Sequence, residues 1–262
     1  MPASEGGNDP GQSEALDIEI QPVSRPEIAA GPDPADDGQV RLIQLGQPAE
    51  DWRVVMTYAC LKQMLAHTQR NLNSEVAGLL LGRIVRTNRG LVSLAAEAVP
   101  AAYTDSGLGH VTFSHETWED IYQYLESLAG DSRIVGWYHT HPGFGVFFSG
   151  QDRFIQRNFF SGPGQVGTVV DPLARSLVLF GCLGEAVEPF DGLWIAAEPE
   201  TYPAARRVVG ALCYGQRSDR VKGSLTRWRE RLRQVLGGLG LAHGCPGRAD
   251  KPCTQDKETQ QV

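Results

Sequence analysis

The sequence predicts a fold of the mixed α/β or α+β class. Three observations carry that expectation. Short apolar runs of strand length alternate with stretches whose apolar residues recur at helical spacing. Turn residues punctuate the two, as at Asn88-Arg89-Gly90 and Gly130-Asp131. Of 262 residues, 41% are hydrophobic and 21% charged, enough to bury the core of one domain with tails.

The elements follow in order. Thr57 is placed to cap a helix that runs to about Leu72, with Tyr58, Leu61, Leu65 and Leu72 as its apolar stripe. Val76 to Val85 and Leu91 to Val99 read as two strands joined by Asn88-Arg89-Gly90 into a hairpin. Val111 to Phe113 is a brief strand. Ser114 then starts a helix whose first turn holds Glu116, Glu119 and Asp120, favoured by the positive end of the helix dipole. Trp118, Ile121, Leu125 and Leu128 are its buried face. Arg133 to Tyr138 reads as a strand that delivers His139 at its end. Asp152 to Phe160 is a short helix, and Gln165 to Val170, Ser176 to Cys182 and Leu193 to Ala197 are further strands.

Composition divides the chain. Residues 1–40 hold nine acidic side chains and one arginine, whereas the remaining 222 residues are nearly balanced. Residues 1–45 therefore read as a disordered acidic tail, 46–200 as the folded domain, 201–240 as a basic helical extension and 241–262 as a second disordered tail. No apolar run approaches the ~20 residues of a membrane span, so no membrane role is expected. No secretory pattern opens the chain, and five scattered cysteines make no disulfide scaffold. A reducing, cytoplasmic setting is the expectation.

The chemistry concentrates in Gly136 to Asp152. Its string is His139-Thr140-His141-Pro142, six residues, then Ser149-Gly150-Gln151-Asp152. Two histidines one residue apart at a strand end can aim at one point if the backbone turns there, and Pro142 stiffens that turn. Asp152 can add an oxygen ligand from the first turn of the next helix. Two imidazoles and a carboxylate are a common catalytic zinc set with one position left for water. Zinc lowers the pKa of that water toward ~7 and polarises a carbonyl under attack. Glu75, just before the apolar run Val76 to Leu81, is the candidate base that takes the water's proton to the leaving amine. Ser149 can donate a hydrogen bond to the oxyanion of a tetrahedral intermediate. Each residue also has a plain alternative: His139 and His141 as polar loop residues, Ser149 or Asp152 as a helix cap, Glu75 as a solvated acid.

The string His-x-His-Pro, six residues, Ser-x-x-Asp resembles without departure the JAMM motif of the MPN-domain zinc metalloproteases. Ser74-Glu75-Val76-Ala77-Gly78-Leu79-Leu80-Leu81-Gly82 looks like the family's upstream glutamate segment, and Gly167-Thr168-Val169-Val170-Asp171-Pro172 like its later strand. The resemblance covers about residues 50–200. It implies an MPN fold, a curved mixed β-sheet flanked by helices and similar to cytidine deaminases. It implies zinc-dependent hydrolysis of a peptide or isopeptide bond. On this resemblance His139, His141 and Asp152 bind Zn2+, Glu75 is the general acid/base and Ser149 stabilises the intermediate.

Family members often cut after the C-terminal glycine of ubiquitin or a ubiquitin-like protein, so a ubiquitin-like protein or its conjugate is the expected substrate and partner. The segments Pro100 to His110 and Arg153 to Gln165 are short. The chain looks more like prokaryotic JAB/Mov34-like isopeptidases than like members with insertions that grip ubiquitin chains. The alternative is a non-catalytic MPN scaffold module in a larger assembly. Two other enzyme classes are set aside. A (β/α)8 amidohydrolase needs more chain than follows His141. A nucleobase deaminase needs His-x-Glu and Cys-x-x-Cys, which are missing from the sequence.

Near the motif, Trp137 reads as core from its strand position. Phe144, Phe147 and Phe148 read as exposed loop aromatics that line a groove for an extended tail. His110 and His115 read as polar surface residues. Residues 203–236 hold nine basic and two acidic side chains. Leu225, Trp228, Leu232, Val235 and Leu236 recur there at helical spacing, so 224–236 reads as a basic amphipathic helix that packs on the domain or docks a partner. Nucleic acid is not expected, since no reader motif accompanies the charge. His243, Cys245 and Cys253 fit no zinc spacing.

Overall fold

The computed structural model describes residues 28–33, 36, 38–101, 104–107, 110–113, 123–124, 127 and 132–215. Strands β1 (Ala29–Ala30), β2 (Arg41–Gly46) and β3 (Trp52–Thr57) precede helix α1 (Tyr58–Thr68). Strands β4 (Ala77–Thr87) and β5 (Gly90–Pro100) form a long hairpin, and β6 (Thr104–Gly107) with β7 (His110–Phe113) a small separate one. Strand β8 (Arg133–Thr140) leads by a loop to helix α2 (Gly150–Phe159). Strands β9 (Val166–Asp171), β10 (Ser176–Leu183), β11 (Ala186–Pro189) and β12 (Gly192–Ala197) follow. Helix α3 (Tyr202–Gly210) and strand β13 (Cys213–Tyr214) close the described chain.

One mixed sheet runs β11-β10-β9-β8-β4-β5-β3-β12-β2, with β1 beside β4 and β13 beside β10. Both faces are covered, which is why β4 reads as a continuous apolar run rather than an alternating one. Leu80 and Ile84 pack into the core shared with α1 and α3, while Leu79 and Leu81 pack into the core shared with α2. The architecture is the expected α+β one, a curled mixed sheet flanked by helices.

Two irregularities aim the site. Register slips on both sides of β4, at Leu80/Leu81 against β8 and at Leu81/Gly82 against β5. In β8 the extra residue is Val135, because Leu80 pairs with Gly136 and Leu81 with Ile134. That bulge reverses the phase of the strand. Ile134 and Trp137, three residues apart, share the α2 core, and Val135 and Tyr138 share the other. His139, two residues after Trp137, therefore emerges on the α2 side.

The hairpin turn is the expected Asn88-Arg89-Gly90, with Thr87 paired to Gly90. Gly90 has φ 135°, and a Cβ there would stand 2.1 Å from the Asp51 carbonyl, so only glycine fits. Thr57 caps α1 as expected: its Oγ1 accepts the Cys60 N–H at 3.1 Å and donates to the Ala96 carbonyl at 2.8 Å. The helix stops at Thr68, short of the expected Leu72. Asn71 Oδ1 accepts the N–H groups of Asn73 and Ser74, diverting the chain, and Leu72 is left 42% exposed.

Other expectations need correction. β1 and all of β2 but Gly46 lie inside residues 1–45, expected as tail, and β2 pairs along its whole length with β12. The buried pair Arg53–Asp33 ties this segment to β3. Acid-rich composition hid it, because Asp33 is an ion-pair partner rather than a solvated charge. Similarly, α3 and β13 fall inside 201–240, yet Ala205 and Val209 enter the core and β13 pairs with β10. Strand β3 escaped notice because five successive buried residues show no alternation. Most of the helix expected from Ser114, residues 1–27 of the acidic tail, the helix 224–236, His115, His243, Cys245 and Cys253 lie outside the described residues. Among the described residues, no helix is long and apolar enough to cross a membrane.

Candidate metal centre

The site forms where β8 ends, α2 begins and β4 starts. His139 is the penultimate residue of β8. His141 lies just past it, held to the neighbouring strand by its own N–H, which donates to the Val170 carbonyl at 2.9 Å. After Pro142 the loop is pinned by Asp171. Its carboxylate accepts the N–H groups of Gly143, Gly145, Leu173 and Ala174, each at 3.0 Å. Burial pushes the Asp171 carboxyl up, but these four donors outweigh it and hold the group below the usual carboxylate range.

Ser149 caps α2 in a reciprocal box. Its Oγ accepts the Asp152 N–H at 3.2 Å, and Asp152 Oδ2 accepts the Ser149 N–H at 2.6 Å. The plain reading of both residues as capping groups is thus realised, and the cap itself turns the Asp152 carboxylate toward the histidines. His139 Nε2 lies 3.2 Å from Asp152 Oδ1 and 3.1 Å from His141 Nε2. His141 Nε2 lies 3.7 Å from Asp152 Oδ2 and 3.9 Å from Glu75 Oε1. All four side chains are buried, with residue exposures from 1% for His139 to 8% for Glu75.

The donor set fits a divalent cation. Ligand atoms of His139, His141 and Asp152 all lie within 4.8 Å of one another. Burial lowers the His141 pKa first and neighbouring His139 lowers it further, while Asp152, the Gly145 carbonyl and Asp171 pull the other way. Burial pushes Asp152 up, but His139 and the Ser149 bonds outweigh it and bring it down to about 2. Neutral imidazole beside ionised carboxylate is the state that coordinates metal. Two imidazole nitrogens with one carboxylate suit zinc and leave a position open.

The His139 ring is set by stacking. Its Nδ1 is buried without a hydrogen-bond partner among the described residues, so the carbonyl or carboxylate that commonly orients a ligand histidine is replaced here. Trp137 lies parallel to it, with centroids 4.6 Å apart and 9° between planes. The Trp137 indole N–H donates to Gln156 Oε1 at 2.9 Å, and Gln156 Nε2 donates to the Phe160 carbonyl at 2.7 Å. Gln156 is one helical turn beyond Asp152, so the same face of α2 reaches His139 directly and through Trp137.

His139, His141, Asp152 and Glu75 are therefore brought together, and Ser149 joins them through Asp152. Trp137 is core as expected, and Phe144 and Phe147 are exposed as expected. Phe147 packs its ring 4.8 Å from that of His141. Phe148 corrects the expectation. It is buried, stacked 4.0 Å from Phe180, because side chains alternate along this stretch, with Val146 and Phe148 facing the α2 core and Phe147 facing out. Reasoning from sequence missed Gln156, Thr140 and the Asp171 clamp. The four-residue spacing of Asp152 and Gln156 on one helix was the available signal.

The chain is similar in sequence to known proteins. A family model described as JAB1/Mov34/MPN/PAD-1 ubiquitin protease matches residues 53–161. The 26S proteasome regulatory subunit RPN11 of Eremothecium gossypii is 34% identical over 134 residues, 48% of this chain and 40% of that protein. The ubiquitin carboxyl-terminal hydrolase RPN11 of Saccharomyces cerevisiae is 34% identical over 126 residues, 46% of this chain and 39% of that protein. COP9 signalosome complex subunit 5 of Dictyostelium discoideum is 31% identical over 124 residues, 45% of this chain and 36% of that protein. The matches thus span well under half of these relatives. A solution structure of protein DSY2949 from Desulfitobacterium hafniense aligns at 21% identity with a TM-score of 0.42, covering 55% of this chain and 92% of that one.

Proposed function

Residues 53–161 of this chain belong to the JAB1/Mov34/MPN/PAD-1 family, and from that premise we propose that the protein is a zinc-dependent metallo(iso)peptidase. It hydrolyses a peptide or isopeptide bond at the C-terminal tail of a ubiquitin-like protein or of its conjugates. The observation that carries this reading is the convergence of Glu75 with His139, His141 and Asp152 in one buried cluster.

His139, His141 and Asp152 hold the zinc ion. When bound, zinc supplies Lewis acidity to water and to the carbonyl under attack. Every other part of the reaction falls to the chain's own side chains. Glu75 Oε1, 3.9 Å from His141 Nε2, stands beside the ligand set and carries the proton from water to the departing amine. Glu75 is buried, which shields its carboxylate from bulk water. Ser149 Oγ accepts one backbone N–H through a lone pair, which leaves its hydroxyl hydrogen to donate to the developing oxyanion. The low pKa of Asp152 keeps its charge on the ligand set through the neutral range.

The test is a Glu75→Gln variant against a linear fusion of a ubiquitin-like protein bearing a C-terminal extension. The variant should retain zinc and the fold and lose turnover by orders of magnitude. Undiminished turnover would remove Glu75 from the role of base. Absence of cleavage by wild-type, zinc-loaded protein on peptide-linked and isopeptide-linked fusions alike would favour the scaffold reading.

A further inference from the structure

We propose that Thr140, the residue between the two candidate ligands, is a positioning residue for the Glu75 carboxylate. The proposal rests on the reading of Glu75 as the proton carrier.

Strands β4 and β8 are antiparallel, and their last registered pair is Ala77 with His139. One step further, Val76 faces Thr140. In an unbroken ladder this pair would exchange two backbone bonds, N–H to carbonyl in each direction. The first of these is made: the Thr140 N–H donates to the Val76 carbonyl at 3.0 Å. The second is not backbone to backbone. The Val76 N–H donates to Thr140 Oγ1 at 2.9 Å.

That exchange has two consequences. The Thr140 carbonyl takes no part in holding Val76, so the backbone ladder to β4 ends here, while the parallel pairing with β9 runs on through the His141 N–H to the Val170 carbonyl. Val76 nevertheless stays fixed, and Glu75 is the residue before it. On the other side of Glu75, Asn71 Oδ1 holds the N–H groups of Asn73 and Ser74 at 3.2 Å, and Asn71 Nδ2 donates to Ser74 Oγ. Glu75 is thus suspended between two anchors made by side chains, Asn71 upstream and Thr140 downstream. Thr140 is fully buried, so no water can replace its hydroxyl. The middle residue of His-x-His thereby couples the ligand strand to the segment that carries the base into β4.

The test compares Thr140→Val, which keeps the shape and removes the hydroxyl, with Thr140→Ser, which keeps the hydroxyl, in the full chain. Three quantities are read: zinc affinity by titration of metal-free protein, hydrogen exchange of the Val76 amide, and kcat and KM on the ubiquitin-like fusion. The valine variant should bind zinc as wild type does and exchange the Val76 amide at least about tenfold faster. Its kcat should fall roughly ten- to hundredfold with KM unchanged. The serine variant should restore both. Unchanged Val76 exchange in Thr140→Val overturns the proposal whatever the activity. Equal kcat in Thr140→Val, with Glu75→Gln inactive, overturns it while leaving Glu75 as base. An active Glu75→Gln variant overturns the reading of Glu75 itself, and with it any role for Thr140 through that carboxylate.

Discussion

Gln156 receives the indole N–H of Trp137 at 2.9 Å, and this one bond links the helix that carries Asp152 to the ring that lies flat on His139. Gln156 is fully buried and also donates to the Phe160 carbonyl. A glycine at 167 makes room for the arrangement, since a Cβ there would stand 2.6 Å from Gln156 Oε1 and 2.8 Å from Trp137 Nε1.

Gln156→Leu should therefore act twice. It strands a buried indole N–H and a buried carbonyl, at a cost of about 1–3 kcal/mol for such a loss. Denaturant unfolding of the metal-free protein reads that term. It should also weaken zinc binding by roughly tenfold or more, as loss of an outer partner does. Wild-type zinc affinity in a destabilised variant would mean that the stack does not serve the centre.

Ser149 has a capping role and a proposed catalytic one, and two substitutions separate them. Ser149→Ala should lower stability by about 1 kcal/mol and Ser149→Gly by only a few tenths. Both remove the hydroxyl, so both should lose roughly 10²–10³ in kcat. If kcat tracked the stability loss instead, the hydroxyl would be only a cap.

The Asp171 clamp makes a prediction with pH. Its folded pKa is lowered, so its contribution is present above the ordinary carboxylate value of about 3.9 and is lost as pH falls through the folded value. Asp171→Asn cannot accept four N–H groups as an anion. It should be less stable than wild type at pH 7, by about 1.5–3 kcal/mol if it forfeits one bond to a charged group. The gap should narrow below about pH 4. A gap that stayed constant down to pH 2 would mean the charge is not what holds the loop.

His67 gives a second pH dependence of the same sign in a higher range. Burial lowers its pKa, with Arg70 adding to the effect, and its Nδ1 lies 2.9 Å from the Tyr138 hydroxyl. The unfolded chain then binds more protons than the folded one, so stability falls as pH drops through the ordinary histidine value of about 6.5. Thermal unfolding of His67→Gln between pH 5 and 8 should show a flatter profile than wild type. An unchanged slope would place the dependence elsewhere.

The candidate site was legible because its chemistry is local. Four of its five residues lie within Gly136 to Asp152, and Glu75 abuts the apolar strand that pairs with β8. What sets their geometry was not legible. Nothing in Arg133 to Tyr138 marks Val135 as a bulge, since the extra residue exists only relative to β4. Thr140 is an ordinary strand residue until its hydroxyl is seen to replace a carbonyl. Phe148 and Phe147 are adjacent and chemically identical, and only the turn between strand and helix decides which is buried. Arg53 broke the apolar pattern of β3 because its partner, Asp33, is distant in sequence. Propensity and spacing report one segment at a time, and these features belong to pairs of segments.

The most direct test of the account is the zinc content of purified wild-type protein beside His139→Ala. The account predicts about one zinc per chain in wild type, as three protein ligands and an open position require, and loss of it in a variant that remains folded. Wild-type protein that neither carries zinc nor takes it up on titration, or a His139→Ala protein that holds as much as wild type, would contradict it.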